Sequence, residues 1–348
     1  MKILITGNLG YVGSELGKTL RKAYPQATLI GYDSGYFARQ ITNLVTSPDI
    51  YIDQQVYGDV RNFPEKLLEG VDTVVQLAAI SNDPIGNKFE KVTMDVNHKS
   101  VVEIARLAKR QGVKSVVFAS SCSVYGFAED SARIESSELN PLTAYAKSKV
   151  ESEKDLSQLA DDTFKVTCLR FATACGMSDR LRLDLVLNDF VAGAVSSGEI
   201  TILSDGSPWR PLINVRDMGR AIMWAHERDP EYGGNFLTVN TGSNEWNYQV
   251  KELAYAIKDL LPSVKVSINK DAAPDKRSYK VNFDLFKSLA PDFQPQYDLK
   301  KTIQDLIDGL NAIGFNDKNF RQSRLIRLVV VNEFLAKGIV DESLTVVK

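Results

Sequence analysis

The stretch that most constrains this chain is Lys2-Ile3-Leu4-Ile5-Thr6, followed at once by Gly7-Asn8-Leu9-Gly10-Tyr11-Val12-Gly13. A short apolar strand that runs into three glycines spaced three apart has to turn sharply and open a helix. Gly7 permits the tight turn. Gly10 lets the backbone approach a bound group with no Cβ in the way, and Gly13 allows close packing of the helix. The N-terminus of that helix offers free N–H donors and a partial positive charge, which suits phosphate. Glycines also make plain turns, so the pattern gains its weight from context: a strand before it and a helix after it.

Asp33 extends the reading. It follows the second predicted strand, Thr28–Tyr32, where an acidic side chain can hold the two hydroxyls of an adenosine ribose. A carboxylate there repels a 2′-phosphate, which favours NAD over NADP, although Arg39 lies close by. The expected dinucleotide site is therefore Gly7, Asn8, Leu9, Gly10, Tyr11, Val12, Gly13 and Asp33. Asp59-Val60, in the Gly58–Arg61 turn, is either a contact to adenine or a solvated turn carboxylate.

The first half of the chain alternates short apolar runs with helical patterns. Strands are expected at Lys2–Thr6, Thr28–Tyr32, Thr73–Leu77, Ser115–Ala119 and Lys165–Phe171. Helices are expected at Gly10–Ala23, Val96–Gln111 and Ala144–Leu159. Apolar strands this short, each followed by a helix, predict an α/β fold with a doubly wound, Rossmann-like parallel sheet. Beyond about Gly176 the pattern loosens into short strands (Ile200–Leu203, Asn235–Val239, Lys265–Ile268) and helices (Leu185–Ser197, Val215–Glu227, Gln249–Leu261). That predicts residues 1–176 as the nucleotide-binding domain, with returning segments near 213–242. Residues 177–348 are expected to form a smaller α+β substrate-binding lobe and a helical tail. In that tail Asn319–Lys337 reads as one amphipathic helix with Phe320, Ile326, Val329, Val330 and Phe334 on a side.

Composition removes several function classes. The 348 residues hold 42 Lys+Arg against 44 Asp+Glu, a net charge of -2, which exerts no general pull on nucleic acid. Two histidines, His98 and His226, and three cysteines without a C-x-x-C spacing argue against a metal site or a disulfide scaffold, and none is expected. No run of 18 apolar residues is present and the N-terminal apolar run is too short for a signal core, so a cytoplasmic protein without membrane attachment is expected.

With imidazole scarce, proton chemistry has to rest elsewhere. Tyr145-Ala146-Lys147-Ser148-Lys149 places a Tyr and a Lys on one helix face. A free Tyr titrates near ~10, and a nearby cation lowers that by ~1–3 units toward a usable base. Ser120-Ser121-Cys122-Ser123-Val124-Tyr125-Gly126 follows the fourth predicted strand, at the strand end where such sheets place ligands, and Ser121 is a candidate hydrogen-bond partner for the substrate oxygen whose proton Tyr145 would take.

The glycine turn, the acidic residue after the second strand, Leu77-Ala78-Ala79, Asn97, the S-S-C-S-V-Y-G run and Y-x-x-x-K stand in the order found in extended short-chain dehydrogenases/reductases. From Met1 to about Ile313 the chain resembles the NAD-dependent epimerase/dehydratase family acting on nucleotide-diphosphate sugars. The resemblance implies a catalytic triad of Ser121, Tyr145 and Lys149. It implies cofactor contacts from Asp59, Val60, Leu77, Ala78, Ala79, Tyr145 and Lys149, and a structural role for Asn97. On the substrate side it implies Ser81, Cys122, Ser123, Thr173, Arg180, Arg182, Asn188, Arg210 and Arg277, with Arg210 and Arg277 on a diphosphate. It also implies a homodimer in which Val96–Gln111 and Ala144–Leu159 form a four-helix bundle with their copies.

Departures from the family pattern narrow the chemistry. Cys122 and Ser123 occupy the positions where sugar 4,6-dehydratases carry Asp-Glu, so the acid and base for dehydration are missing. The cysteine that C3/C5 epimerases use lies one place away from its expected position. Thr173 replaces an Asn and Cys175 a Tyr. What remains is oxidation and reduction at one sugar carbon. The first expectation is an NAD-dependent 4-epimerase working through a transient 4-keto sugar. The second is a 4-dehydrogenase or 4-ketoreductase of the same fold. A non-catalytic NAD-binding regulator is the third, and it fits least because Ser121, Tyr145 and Lys149 are all retained.

Overall fold

The computed structural model describes residues 1–347 except 44, 129–130, 270–271 and 273–277. β1 (Lys2–Thr6) leads through the glycine turn into α1 (Tyr11–Ala23), and β2 (Thr28–Asp33) returns parallel to it, with Ile3 beside Leu29 and Ile5 beside Gly31. There follow β3 (Gln54–Tyr57), β4 (Thr73–Gln76), α2 (Asp83–Lys88), α3 (Glu90–Met94), α4 (Ser100–Arg110), β5 (Ser115–Ser121), α5 (Ala144–Ser157) and β6 (Lys165–Phe171). β1, β2, β3, β4, β5 and β6 all lie in one parallel seven-stranded sheet, as the strand–helix alternation predicts.

The chain then leaves the sheet through β7 (Thr173–Cys175), α6 (Val186–Ser197), β8 (Glu199–Ile202) and β9 (Trp209–Asn214). It comes back with α7 (Val215–Glu227) and β10 (Phe236–Thr241), which pairs with β6 as the seventh strand. β11 (Asn247–Gln249), α8 (Val250–Leu260), β12 (Lys265–Ile268), α9 (Asp284–Leu289), α10 (Leu299–Ala312) and α11 (Arg327–Ala336) complete it. β11, β9 and β7 form a three-stranded sheet, and β12 pairs with β8.

Strand periodicity explains the layers. Ile3 and Ile5 point to the face covered by α1 and α7, where they meet Leu16, Leu20 and Ile222. Leu4, one residue out of phase, points to the opposite face, with Val101, Ile104 and Leu156 from α4 and α5. A third core, built on Leu187, Val191, Leu253, Ile257, Ile303 and Leu306, holds α6, α8 and α10 together.

Three expectations need correction. The helix expected over Val96–Gln111 begins as a π turn, Asp95–Lys99, before α4. The Asn97 side chain there bonds both Ile80 N (2.8 Å) and Ile80 O (3.0 Å), and Ser100 Oγ donates to Val96 O at 2.7 Å. The helix expected over Asn319–Lys337 starts only at Arg327. It is preceded by a single 3-10 turn, Phe320–Gln322, because Ser323 is extended and its hydroxyl accepts the Leu325 N–H. His226, near the end of the Val215–Glu227 helix, reads from the sequence as a contact to that helix's C-terminal dipole, but its ring turns to the sheet. Its Nδ1 lies 2.9 Å from Thr73 Oγ1, and burial, together with Lys165, draws its pKa down.

The order β10–β6–β5–β4–β1–β2–β3 reverses direction between β1 and β4. The connections leave the sheet in opposite directions there, and a crevice opens beyond the strand ends. The glycine turn sits in that crevice. Gly7 has φ +77°, and a Cβ on it would lie 2.5 Å from Ala78 N at the end of the neighbouring strand. Gly10 has an ordinary φ, and a Cβ there would meet only Gly7 O, at 3.1 Å. Gly7→Ala is therefore expected to cost about 2–4 kcal/mol, from left-handed strain plus an overpacked contact. Gly10→Ala should leave the ligand-free protein within about 0.5 kcal/mol of wild type. Urea denaturation of the two variants checks both.

Candidate active site

One cavity of about 1120 Å³ runs along the carboxyl edge of the sheet, and most of the predicted residues line it. At one end stand Gly7, Gly10, Tyr11, Val12 and Gly13. Gly10 caps α1 with extended backbone, no side chain caps the helix, and its first turn carries no acidic residue. Its first-turn amides therefore face the cavity without an acceptor from a capping side chain, an arrangement that fits a diphosphate. Asp33 is aimed by two backbone donors, Leu9 N (3.1 Å) and Gly35 N (2.8 Å). Burial pushes its carboxyl pKa up, against those hydrogen bonds and the Arg180 and Arg327 guanidiniums. Asp59 and Val60 line the same end, with Asp59 gripped by Arg61 Nε at 3.0 Å to each carboxylate oxygen. Leu77, Ala78 and Ala79 form the facing wall.

Asn8 and Leu9 do not line it. Asn8 Nδ2 turns back to Gln55 Oε1 at 2.6 Å, and Leu9 is fully buried. They shape the turn rather than its inner surface.

The middle of the cavity is lined by Ser121, Tyr145 and Lys149. Ser121 is the last residue of β5, so the strand end carries its hydroxyl. Thr143 starts α5 by accepting the Ala146 N–H at 3.2 Å, which places Tyr145 in the first turn and Lys149 one turn on. Lys149 Nζ donates to Ala119 O at 2.6 Å and lies 5.4 Å from the Tyr145 ring centroid. Burial lowers the Lys149 pKa to about 7, with Glu153 working against the shift. Burial raises the Tyr145 phenol to about 12. The Ser121 hydroxyl and the Arg182 guanidinium pull it back, and Asp83 pushes it further up.

Beneath this group is a buried pair that the sequence reading did not single out. Arg170 Nη2 donates to Glu153 Oε2 (2.7 Å) and Nε to Oε1 (3.1 Å), Ser120 donates to the same carboxylate, and Arg170 Nη1 donates to Tyr125 Oη at 2.9 Å. Glu153 stands one turn past Lys149, so the pair ties α5 to β5 and β6. Its only signal in the sequence is a charged residue inside the apolar run Lys165–Phe171.

The other end of the cavity is lined by Ser81, Ser123, Thr173, Arg182 and Arg210, together with Thr201, Ser204 and Tyr279. Arg182 is fixed by Asp184 (Nε to Oδ1, 2.9 Å) and by Ser81 Oγ (2.9 Å). Three predicted substrate residues stand outside the wall. Arg180 is fully buried and pairs with Asp49 at 2.9 Å. Asn188 accepts Gly176 N at 2.9 Å and donates to Arg182 O at 2.9 Å, locking the turn behind the wall. Cys122 is fully buried with its thiol on Arg170 O at 3.0 Å, and burial pushes its pKa up, so it has neither the access nor the acidity of a proton shuttle. Arg277 lies outside the described residues.

Comparisons with known proteins agree with this architecture. The model of the NAD dependent epimerase/dehydratase family matches residues 3–240. The UDP-glucose epimerase YtcB of Bacillus subtilis (strain 168), itself described as uncharacterized, is 29% identical over 274 residues, covering 75% of this chain and 82% of that protein. UDP-glucuronic acid decarboxylase 6 of Arabidopsis thaliana is 24% identical over 310 residues, 86% of each. Among solved structures, MoeE5 in complex with UDP-glucose and NAD superposes with a TM-score of 0.75 at 23% identity, covering 90% of this chain and 99% of that one. No helix among the described residues is long and apolar enough to cross a membrane.

The Lys149 shift has a consequence for stability. The folded-state pKa of this cation lies below its unfolded value, so between pH 7 and about 10 the unfolded chain binds more protons than the folded one. That contribution makes the ligand-free protein more stable as pH rises through the window. Lys149→Met should remove it. The stability of wild type minus that of the variant, from urea denaturation at several pH values, is expected to increase from pH 7 to 10, and parallel curves would count against the assignment.

Proposed function

Since the chain belongs to the NAD-dependent epimerase/dehydratase family, whose members include nucleotide-sugar epimerases and decarboxylases, we propose that it is a nucleotide-diphosphate-sugar 4-epimerase. The reading rests above all on one observation. Ser121, Tyr145 and Lys149 line the middle of a single continuous cavity, between a dinucleotide-type end and an end bearing Arg182 and Arg210. Gly7, Gly10, Tyr11, Val12, Gly13, Asp33, Asp59, Val60 and Leu77-Ala78-Ala79 hold NAD. Thr173, Ser81, Ser123, Arg182 and Arg210 face the sugar nucleotide, with Arg277 as a second phosphate ligand.

When bound, NAD supplies a reversible hydride acceptor and a positive charge close to Tyr145. Tyr145 takes the proton of the sugar O4 hydroxyl during oxidation and returns it during reduction. Its phenol, held near 12 in the ligand-free protein, needs added positive charge to do so. The Lys149 ammonium supplies part of that charge, and Lys149 also holds the nicotinamide ribose. Ser121 hydrogen-bonds the reacting oxygen. The keto sugar turns within the cavity before it is reduced on its other face. The residues after Ser121 offer no carboxyl, since Cys122 is a buried thiol and Ser123 a hydroxyl. Elimination of water at C5–C6 therefore lacks an acid and a base there.

A thermal-shift screen with UDP-, GDP-, CDP- and dTDP-sugars in the presence of NAD identifies the nucleotide, because a selective ligand raises stability by mass action. With that sugar, inversion at C4 is expected by proton NMR without accumulation of NADH. Stoichiometric NADH would instead mean a 4-dehydrogenase. Tyr145→Phe should lower turnover about 10²–10⁴-fold while leaving NAD affinity within about twofold. Turnover at the wild-type rate would remove Tyr145 from the mechanism.

The same reading includes a homodimer built on α4 and α5, in which His98 Nε2 and Asp155 Oδ2 (2.8 Å) already link the π turn before α4 to α5 within one chain. Sedimentation equilibrium should give twice the chain mass, and a monomer at micromolar concentration would overturn it.

A further inference from the structure

The segment from Phe320 to Val347 folds back over the cofactor end of the cavity. Tyr36 Oη donates to Leu344 O at 2.7 Å, and Arg61 reaches Ser343 O (2.7 Å), Leu344 O (3.0 Å) and Thr345 Oγ1 (2.9 Å). Val331, Val340 and Leu344 pack with Ile85 and Val92 into a small apolar cluster. The segment therefore holds on to the residues that flank Asp33 and Asp59.

Arg327, the first residue of α11, lines the cavity together with Arg321, Ile326, Val331 and Leu344 of this cover. Only 4% of it is exposed, and among the described residues neither Nη1 nor Nη2 has a hydrogen-bond partner. Its guanidinium carbon lies 4.0 Å from the Phe37 ring centroid. The neighbouring cations are already committed, Arg180 to Asp49 and Arg182 to Asp184. Asp33 and Asp184 favour its charge from a distance, while Arg182 and Arg180 oppose it, and burial brings its pKa down to about 9. A buried guanidinium with both terminal nitrogens unused is costly, and an anion entering the cavity would relieve that cost.

We propose that Arg327 is a ligand of the cofactor's diphosphate, delivered by the 320–347 cover and complementing the first-turn amides of α1. Two features favour this anion. The same cavity end carries the first-turn amides of α1, which no side chain caps, and the Asp33 carboxylate, which suit a diphosphate and a ribose respectively. The two terminal nitrogens of a guanidinium also form a planar fork that matches phosphate oxygens. Cofactor and cover then hold each other: the diphosphate supplies Arg327 with its missing partner, and the cover slows release of the dinucleotide. The inference rests on NAD as cofactor and is independent of which sugar reaction follows.

Binding of NAD, ADP-ribose, adenosine and UDP to the full chain, freed of cofactor by dialysis, tests it. Arg327→Met is expected to weaken NAD and ADP-ribose about 10–100-fold and to speed NAD release, with adenosine and UDP changed less than twofold. Without ligand it should melt no lower than wild type, because an unpartnered buried charge has gone. Arg327→Lys keeps a charge without the fork and should fall between the two; it carries the test alone if the Met variant does not fold. Equal weakening of adenosine would mean that Arg327 merely seats the cover. Selective weakening of UDP would give the arginine to the sugar nucleotide, and unchanged affinities would show no contact at all. Each of these overturns the proposal.

Discussion

Both faces of the seven-stranded sheet are covered, one by α1 and α7 and the other by α4 and α5. The carboxyl edge, opened by the reversal between β1 and β4, is left as the place where side chains can meet a ligand. Everything functional follows from that constraint. The glycine turn, Asp33, Leu77–Ala79 and Ser121 all stand at strand ends or immediately beyond them, and α5 lies close enough to bring Tyr145 and Lys149 to the same edge. The sheet contributes Asp33 and Ser121 at the ends of β2 and β5 and fixes the separations among the groups that meet there.

The site holds charges that the ligand-free protein accommodates poorly. Burial lowers Lys149 and Arg327, raises Asp33, and raises the Tyr145 phenol. Each shift disfavours the form that a charged or hydrogen-bonding ligand would require, so binding and protonation are coupled across the cavity. Ion pairs stand behind these groups: Glu153 of α5 with Arg170 of β6, and Arg182 with Asp184. The division is physically sensible. Arg170 and Arg182 are tied to carboxylates, whereas the two terminal nitrogens of Arg327 have no hydrogen-bond partner among the described residues.

The fold was legible because its signals are local. Ile3-Leu4-Ile5 and the glycines announce β1, the turn and α1 within a dozen residues, and Tyr145 and Lys149 share a helix face by spacing alone. β3 was missed because Gln54–Tyr57 is a half-exposed edge strand with two glutamines, and an edge strand has no need of an apolar run. α10 was missed although Leu299, Ile303, Leu306 and Leu310 carry helical periodicity behind an Asp298 cap. The errors at the site have a different origin. Arg180, Arg182 and Arg210 are alike as sequence, and only tertiary contacts decide that Arg180 turns to Asp49 while the other two line the cavity. Arg327 offered a clue in being the one cation within Leu325-Ile326-Arg327-Leu328-Val329-Val330-Val331. A cation inside so apolar a run is either exposed by helical phase or buried with a purpose, and its near-complete burial selects the second.

The cover over the cofactor end bears on the choice between the two redox readings. A dehydrogenase must release reduced cofactor every cycle, so each contact that closes the dinucleotide site opposes its turnover. An epimerase oxidises and reduces the same sugar and regenerates its cofactor in place, so the same contacts cost it nothing and protect the keto sugar from being stranded with the wrong cofactor state. Tyr36 and Arg61 together fasten the 343–345 segment over Asp59 with four hydrogen bonds of 2.7–3.0 Å. Opening that closure on every turnover would require breaking them along with the apolar packing of Val331, Val340 and Leu344. Retention of the cofactor is the cheaper path, which favours the proposed 4-epimerase over the dehydrogenase reading.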